Sequence, residues 1–439
     1  MSNFDLEQLD TNDYTYDELV SYFTNLVNEA KNEIKHQYKN GQEGKWKISW
    51  SGGKDSTVLL ALALSCMQEM KKDGEALDRQ IDIRMSNTKV ENIVLDEYMR
   101  DEADKVNKFC DDNGIPAQVE IVERDTKQGY FYLTLGKGYF LPLQNGRGRW
   151  CTDRLKIKPM EASVDLDKIS LDLVGVRISE SGTRGRRIKN LQTEKNEMVA
   201  ENGTFMPIVN FTIEDVWDYL AEYGIPWGSS RTVRELYKDA TGECGFTNPA
   251  GMEKKVSKLE ACGARFGCWV CPVIAIDKSS EAQMLKYEWL EPLVKWRELQ
   301  MMVHGLYMPN KTTHDHLERK ELTKLRKEWK KHNELIKKTV KCGHKRNGVK
   351  LKEGQGTLTI VARKFLFYAL MKCEQIYQEK RMAEGLPAGS IISNAEKKLI
   401  KRAWKEDEEE RHWTANNDLG LKMDDLTRLW GDTAGYFDL

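Results

Sequence analysis

Residues 47–57 read Lys-Ile-Ser-Trp-Ser-Gly-Gly-Lys-Asp-Ser-Thr, a short apolar strand followed by two glycines and the start of a helix. Gly52 and Gly53 can adopt positive φ without a Cβ clash, so their turn can curl backbone N–H groups around an anion. The helix directs the positive end of its dipole at the same point. Hydroxyl donors, a positive charge and a carboxylate suited to Mg²⁺ come from Ser51, Ser56, Lys54 and Asp55. The stretch therefore predicts a phosphate-binding loop.

The spacing of the glycines separates this loop from two other nucleotide motifs. A Walker A loop has four residues between its first glycine and Gly-Lys-Ser/Thr, and the dinucleotide-binding turn reads Gly-x-Gly-x-x-Gly. Residues 51–56 fit neither pattern. They resemble the SGGKDS loop of the ATP pyrophosphatase (PP-loop) superfamily, whose members cleave ATP between the α and β phosphates and adenylate a substrate. The resemblance implies that ATP is bound by Ser51, Gly52, Gly53, Lys54, Asp55 and Ser56, with Mg²⁺ on Asp55. A glycine turn that merely precedes a helix is the alternative.

Composition and charge are those of an ordinary globular protein. Of the 439 residues, 40% are hydrophobic and 31% are charged, and the net charge is −1. Affinity for nucleic acid would therefore come from local basic patches rather than from a global field. We expect a cytoplasmic protein that does not contact a membrane, because the sequence has neither a long apolar run nor a signal sequence at its acidic start. Nine cysteines in such a chain favour thiol or metal chemistry over disulfides.

Strand and helix patterns alternate after the phosphate loop. Strands are predicted at 81–85, 118–122 and 171–176, and a helix at 92–113. This alternation indicates an α/β fold with a doubly wound, mainly parallel sheet, helices on both faces and ligands at the carboxyl ends of the strands. A helix with a capping box at Thr15 is predicted before the sheet.

The chain is predicted to have four regions. Residues 1–44 form an N-terminal helical segment, 45–228 the nucleotide-binding α/β domain, 229–290 a cysteine-rich segment, and 291–439 a helical C-terminal region. The last region contains a strongly basic stretch at 319–352. Basic residues interleaved with aromatic ones suit a nucleic-acid backbone, although a solvated helix face is an equal alternative.

Two cationic loops are predicted to face a polyanionic substrate. Residues 146–159 hold five cations, with Cys151 among them, and residues 177–187 hold four arginines. An arginine fork can bond two phosphate oxygens at once. Positive charge around Cys151 is predicted to lower the pKa of its thiol and favour the thiolate. A half-buried cysteine beside a solvated basic turn is the alternative.

Four cysteines form a second candidate site. Cys244, Cys262, Cys268 and Cys271 lie within 28 residues, and the last two make a Cys-x-x-Cys pair. Four thiolates suffice for tetrahedral zinc or for an iron–sulfur cluster, and spacing alone does not separate the two. A redox-active Cys-x-x-Cys pair with two idle cysteines is the alternative.

Several blocks of sequence together resemble one known family. They are SGGKDST at 51–57, RWCTDRLKIKP at 149–159, LVGVRISES at 173–181 and RFGCWVCPV at 265–273. The blocks are similar, in the same order, to DndC-type sulfurtransferases of bacterial DNA phosphorothioation systems, a branch of the phosphoadenosine phosphosulfate (PAPS) reductase family. The resemblance covers about residues 46–410. It implies a PP-loop ATP pyrophosphatase fold of the adenine nucleotide alpha hydrolase-like type, followed by an iron–sulfur segment.

The family resemblance also implies roles for individual residues. A 4Fe-4S cluster would be held by Cys244, Cys262, Cys268 and Cys271. Lys54, Asp55 and Cys151 would be catalytic. The substrate phosphate would be bound by Arg154, Lys156, Arg177 and Arg184.

The implied activity is ATP-dependent sulfur transfer to DNA. The enzyme would adenylate a backbone phosphate, release pyrophosphate and replace a non-bridging oxygen by sulfur. The implied partners are DNA, a cysteine desulfurase as sulfur donor, and other phosphorothioation subunits in a complex. Sulfur would travel either on Cys151 as a persulfide or through the cluster.

Three other functions share some of these features. A tRNA thiolase of the same superfamily would have the same loop and cluster. A PAPS or adenylyl-sulfate reductase would need a thiol near its C-terminus, but no cysteine follows Cys373. A non-catalytic, DNA-binding iron–sulfur subunit would use ATP as a switch, and release of pyrophosphate would exclude it.

Overall fold

The computed structural model describes most of the chain. The described residues are 15–142, 149–180, 188, 198–241, 267–273, 277–307, 317–340, 345–346, 349–350, 357–409 and 433–437. Three predicted site residues, Arg184, Cys244 and Cys262, lie outside them.

Helices and strands alternate through the first half of the chain, and helices dominate the second. In chain order the elements are α1 (Tyr16–Asn40), β1 (Lys45–Ser49), α2 (Lys54–Lys72), β2 (Ile81–Asn87), α3 (Ile93–Asn113), β3 (Ala117–Glu123), β4 (Ile169–Leu173), β5 (Thr204–Phe205), α4 (Ile213–Glu222), α5 (Arg231–Thr241), α6 (Lys278–Met284), α7 (Glu291–Val303), α8 (Arg319–Val340), β6 (Lys345–Arg346), β7 (Val349–Lys350), α9 (Ile360–Ala383) and α10 (Asn394–Glu409). Short helical turns lie at Thr126–Gln128, Tyr132–Gly136, Leu166–Lys168, Ile178–Glu180 and Glu288–Leu290, and residues 150–162 form an irregular helical segment with a π-helical middle, Asp153–Ile157.

The sheet confirms the predicted doubly wound α/β architecture. Its five strands follow the order β3-β2-β1-β4-β5. Strand β1 is parallel to both β2 and β4, and β4 is parallel to β5. The chain winds from β1 towards β2 and later returns to the other side of β1, so the winding direction reverses between β1 and β4. Ligands of such sheets bind at the carboxyl ends of the strands beside this reversal.

The residues around the phosphate loop form these elements for simple reasons. On β1, Trp46 and Ile48 are fully buried and alternate with partly exposed neighbours, as expected for a strand. Helix α2 is buried along most of its length, from Lys54 to Met70, which explains its nearly continuous apolar sequence. The predicted capping box at Thr15 is confirmed, because the Thr15 side chain accepts from the backbone N–H of Glu18 and the Glu18 carboxylate accepts in return.

The chain divides into two compact units. The first unit comprises Met1–Met85, Tyr98–Ile121 and Val164–Arg234, and the second comprises Ser86–Glu97, Val122–Ser163 and Glu235–Leu439. The predicted region boundaries at 44, 228 and 290 stay predictions.

The second unit confirms the predicted helical C-terminal region. Its apolar core includes Trp296 of α7 and Phe365 of α9, both fully buried. Two buried ion pairs connect its segments, Arg124 with Glu396 and Arg363 with Asp407. Among the helices that the structure describes, none combines the length and the apolar character needed to span a membrane.

Candidate functional site

The two glycines of the phosphate loop have different backbone conformations. Gly52 adopts φ +69°, in the left-handed region that glycine favours. Gly53 is extended, with φ −73° and ψ 155°, and is the N-cap residue of α2. The helix begins at Lys54, and no side chain caps its first turn. The amide groups of that turn are therefore available to phosphate oxygens.

Two serines bridge the ends of the loop. The backbone N–H of Ser51 donates to Ser56 Oγ at 3.2 Å, and the two hydroxyl oxygens lie 3.0 Å apart. Ser56 Oγ in turn donates to the carbonyl of Gly53 at 3.0 Å. These bonds hold the loop curled. The six residues predicted to bind ATP therefore form one structure at the end of β1.

The charged groups of the loop pair with one another. Lys54 Nζ lies 2.7 Å from Asp55 Oδ2, and Arg177 Nε donates to Asp55 Oδ1. Burial alone would raise the pKa of Asp55, but the charges of Lys54 and Arg177 outweigh burial and lower that pKa. The carboxylate is thus ionised at neutral pH and suited to bind Mg²⁺.

Sequence reasoning missed the role of Gly175, which follows β4. A Cβ on this residue would lie 3.0 Å from the carbonyl oxygen of Asp55 and 3.0 Å from Ser56 Cα. A larger residue would therefore push the β4 loop and the phosphate loop apart by a few tenths of an ångström. The signal was a glycine at the end of a strand pattern, which often marks such an approach.

We expect Gly52→Ala to destabilise the protein by about 2–4 kcal/mol. The substitution combines a positive φ with a new Cβ only 2.5 Å from Met99 Sδ. Gly74→Ala is the matched control, because Gly74 has φ +80° but no atom within 4 Å of the added Cβ, so it reports the backbone cost alone. Urea unfolding measures both, and equal losses would show that Met99 does not restrict the loop.

The second unit contains a group of interacting thiols, which we call the thiol cluster: Cys151, Cys268 and Cys271. The amide of Cys271 donates to the carbonyl of Cys268 at 2.9 Å, so the Cys-x-x-Cys sequence forms a tight turn. Cys151 lies close enough to Cys271 for that side chain to contribute to the raised pKa of the Cys151 thiol. The structure therefore brings together three of the predicted site cysteines.

Side chains distant in sequence surround Cys268. Its Sγ lies 3.7 Å from Glu91 Oε2 and 3.8 Å from Thr88 Oγ1. Lys156 Nζ pairs with Glu91 Oε1 at 3.0 Å. Neither Glu91 nor Thr88 was predicted from the sequence, and their one signal is a polar loop directly after β2.

Backbone contacts hold the Cys-x-x-Cys turn in place. Arg297 Nε donates to the Cys271 carbonyl at 2.9 Å, and Gln300 Nε2 donates to the Val270 carbonyl at 3.1 Å. The Tyr130 hydroxyl donates to Gln300 Oε1 at 2.9 Å. The turn is thus fixed by helix α7 rather than by its own short sequence.

The predicted thiolate at Cys151 is wrong. Burial, followed by the nearby Cys271, raises the pKa of the Cys151 thiol above its ordinary value. The pKa of Cys268 is also raised, first by burial and then by the negative charge of Glu91. Arg154, Lys156 and Lys158 do not reverse this shift at Cys151, and each of them has another partner, Gln128, Glu91 and Asp153 respectively.

The described cations that were predicted to bind substrate phosphate contact other side chains of the protein. Arg154 Nη1 donates to Gln128 Oε1 at 2.8 Å, and its guanidinium lies 5.3 Å from the centre of the Tyr139 ring. Lys156 pairs with Glu91, and Arg177 with Asp55. Their role in substrate binding stays a prediction.

The donor chemistry of the thiol cluster suits iron or zinc, but the described ligand set is incomplete. Cys268 and Cys271 are adjacent in one turn, whereas Cys244 and Cys262 lie outside the described residues. Within the ranges that the structure describes, no three His, Cys, Asp or Glu side chains are arranged to hold a metal ion. Cys66, Cys110 and Cys373 are fully buried, as expected for core residues.

Comparison with protein families identifies one match. The model of the phosphoadenosine phosphosulfate reductase domain matches residues 45–274, just over half of the chain. An uncharacterized protein of Methanocaldococcus jannaschii is 23% identical over 254 residues, which cover 57% of this chain and 40% of that protein. The match therefore spans less than half of that relative's length.

Solved structures with partial similarity include two enzymes. Candida glabrata FMN adenylyltransferase, in complex with FAD and inorganic pyrophosphate, has a TM-score of 0.32 and 15% identity, covering 56% of this chain and 74% of that one. The U34-tRNA thiolase NcsA of Methanococcus maripaludis, with its [4Fe-4S] cluster, has a TM-score of 0.29 and 14% identity, covering 49% of this chain and 74% of that one.

Proposed function

The chain belongs to the phosphoadenosine phosphosulfate reductase domain family, and from that premise we propose that it is an ATP-dependent sulfurtransferase of DNA phosphorothioate modification. In the proposed reaction a DNA phosphate is adenylated with release of pyrophosphate, and sulfur then replaces a non-bridging oxygen. The observation that carries the proposal is the phosphate loop, where Lys54, Asp55 and Arg177 meet at the carboxyl edge of a parallel sheet.

Adenylation is the first step. A phosphodiester oxygen attacks the α-phosphorus of ATP, and pyrophosphate leaves. Negative charge develops on the pyrophosphate, where Lys54 and the uncapped amides of α2 stabilise it. Lys54 pairs with Asp55, and the Asp55 carboxylate would hold Mg²⁺, which would supply a Lewis acid for the phosphates.

Sulfur transfer is the second step, and it has two routes. On the Cys151 route, the outer sulfur of a persulfide attacks the adenylated phosphorus and AMP leaves. Cys271 then attacks the inner sulfur, which forms a Cys151–Cys271 disulfide and releases the phosphorothioate. A thiol reductant restores both cysteines. On the other route, a 4Fe-4S cluster held by Cys244, Cys262, Cys268 and Cys271 would supply a centre for sulfur binding or electron transfer. A cysteine desulfurase is the proposed sulfur source on either route.

Product analysis tests the proposal. Anaerobically purified protein is incubated with ATP, Mg²⁺, duplex DNA, cysteine and a cysteine desulfurase, and pyrophosphate, AMP and phosphorothioate dinucleotides are measured. We expect the wild type to form all three products when the other phosphorothioation subunits are present in the reaction. Lys54→Ala should form none of them, whereas Cys268→Ser should keep pyrophosphate release and lose the phosphorothioate.

Other products would contradict the proposal in distinct ways. ADP and phosphate would indicate an ATP-switched binding subunit. Sulfur in tRNA but not in DNA would indicate a tRNA thiolase. A colourless protein that contains zinc would exclude the iron–sulfur route.

A further inference from the structure

Helix α8 has one face in the core of the second unit. It has 22 residues and is therefore about 33 Å long. Leu322, Asn333 and Ile336 are buried, and Trp329 packs against Tyr307 with ring centres 4.8 Å apart. Asn333 Nδ2 also donates to the Tyr307 carbonyl at 2.7 Å. These contacts fix the rotation of the helix about its axis, and so fix which residues face outward.

The outward face carries two rows of exposed cations. The first row is Lys320, Lys324, Lys327 and Lys331, and the second row is Arg319, Arg326 and Lys330. With about 100° of rotation per residue, the members of each row lie one above another, and the two rows are about 100° apart. The first row lies opposite the buried residues, and the second row borders them, because Arg326 is seven residues before the buried Asn333. Glu321 and Glu328 lie at the edge of this face, between the first row and the core.

The first row is not neutralised by the fold. Within the described part of the chain, none of its four lysines forms an ion pair, whereas Lys337 pairs with Glu334 at 2.9 Å near the end of the same helix. Helix α10 differs, because two of its exposed cations are paired: Arg402 with Glu406 at 2.9 Å and Lys405 with Glu409 at 3.5 Å. Like charges three and four residues apart destabilise a helix. A polyanion on this face would relieve that repulsion.

We propose that α8 binds duplex DNA in the major groove through these two rows, which rests on the proposed function and adds the surface that holds its substrate. An α-helix fits the B-form major groove, which is about 12 Å wide. Rows about 100° apart on one helix point to the phosphates of the two strands that line the groove. The major groove of A-form RNA is too narrow and deep for such an approach. The geometry therefore favours DNA over double-stranded RNA.

The salt dependence of binding tests this surface. A fluorescent 25-base-pair duplex is titrated with the full-length protein, without ATP, across a series of salt concentrations. Each phosphate contact contributes about 0.9 to the slope of log affinity against log salt concentration. Replacing Lys320, Lys324, Lys327 and Lys331 by Gln should therefore reduce the slope by about 3 and weaken binding at low salt at least 100-fold.

Two further variants serve as controls. Replacing Lys398, Lys401, Arg402 and Lys405 of α10 by Gln removes the same charge from another exposed helix face, and should change the slope by less than about 1. Replacing Arg319, Arg326 and Lys330 by Gln tests the second row and should reduce the slope by about 2 to 3. Circular dichroism checks that each variant is folded.

Several outcomes would overturn the assignment. The assignment is wrong if the α8 and α10 variants change the slope equally, or if both α8 variants leave the slope unchanged. It is also wrong if the protein binds an RNA duplex as tightly as DNA or more tightly. Binding to anionic vesicles that depends on the rows, without binding to DNA, would contradict it as well. Because the assay contains no ATP, its result is separate from the test of the proposed reaction. A protein that binds DNA through the rows but forms no pyrophosphate would contradict the reaction alone.

Discussion

Lys54→Met is expected to reduce pyrophosphate formation by about 100- to 1,000-fold, the usual cost of removing one group that stabilises developing charge. Methionine retains the apolar length of the side chain, which is mostly buried, and removes only its charge. Asp55 loses its 2.7 Å partner but keeps Arg177, so its pKa should rise while the carboxylate remains. Single-turnover measurement of pyrophosphate with saturating ATP and DNA gives the rate.

Lys47→Met is the matched control for this loss. The side chains of Lys47 and Lys54 are 12% and 11% exposed, and each pairs with one aspartate, Asp172 in the case of Lys47 at 2.6 Å. Lys47 lies within β1, before the loop. Its replacement should lower stability but leave pyrophosphate formation per folded molecule within about threefold of the wild type. A comparable loss of rate in both variants would mean that Lys54 acts through stability rather than on the phosphates.

Glu396→Ala is expected to cost about 3–5 kcal/mol of unfolding free energy. Glu396 lies 3.1 Å from Arg124 Nη2 and accepts from the backbone N–H of Tyr132 at 3.0 Å. The two side chains of the ion pair are only 3% and 5% exposed. Removal of the carboxylate leaves a buried guanidinium without its counter-charge. Urea unfolding of the wild type and the variant measures the difference.

Two further variants test whether the stability loss of Glu396→Ala comes from the unpaired buried charge or from lost packing contacts. The double variant Arg124→Met with Glu396→Leu removes both charges, and should recover most of the loss because apolar replacement of a buried pair is often neutral. Asp112→Ala breaks the Lys108–Asp112 pair, whose side chains are 76% and 61% exposed, and should cost less than about 0.5 kcal/mol. If the double variant is as unstable as Glu396→Ala, packing rather than the unpaired charge is responsible.

The phosphate loop was predictable because its determinants are local. The glycines, the hydroxyls and the helix start are consecutive in sequence, and the alternation of strands and helices placed them at a sheet edge. The extended backbone of Gly53 was not predictable, because either glycine could adopt positive φ and only Gly52 does so. The extended Gly53 instead became the helix N-cap.

The thiol cluster was only partly predictable, since its environment comes from distant segments. Glu91 and Cys268 are 177 positions apart in sequence and meet through a backbone bridge. The cations beside Cys151 predicted a thiolate, but Lys156 forms an ion pair with Glu91 and Arg154 donates to Gln128. No local pattern reveals such pairing. The spacing of the exposed rows of α8 follows from helical periodicity in the sequence. Which side of the helix faces outward follows only from its packing in the structure.

The interleaving of the two units along the chain has a consequence for synthesis on the ribosome. Residues up to Met85 of the first unit emerge early, but that unit is complete only when Arg234 has been made. At roughly 5–20 residues per second, the delay is roughly 7 to 30 seconds. Strand β4, a parallel neighbour of β1, ends at Leu173, whereas β1 ends at Ser49, so β1 waits roughly 6 to 25 seconds for it. The nascent chain therefore exposes one unpaired edge of β1, the edge that does not pair with β2, and we expect the yield of the protein in cells to depend on chaperones that shield such segments.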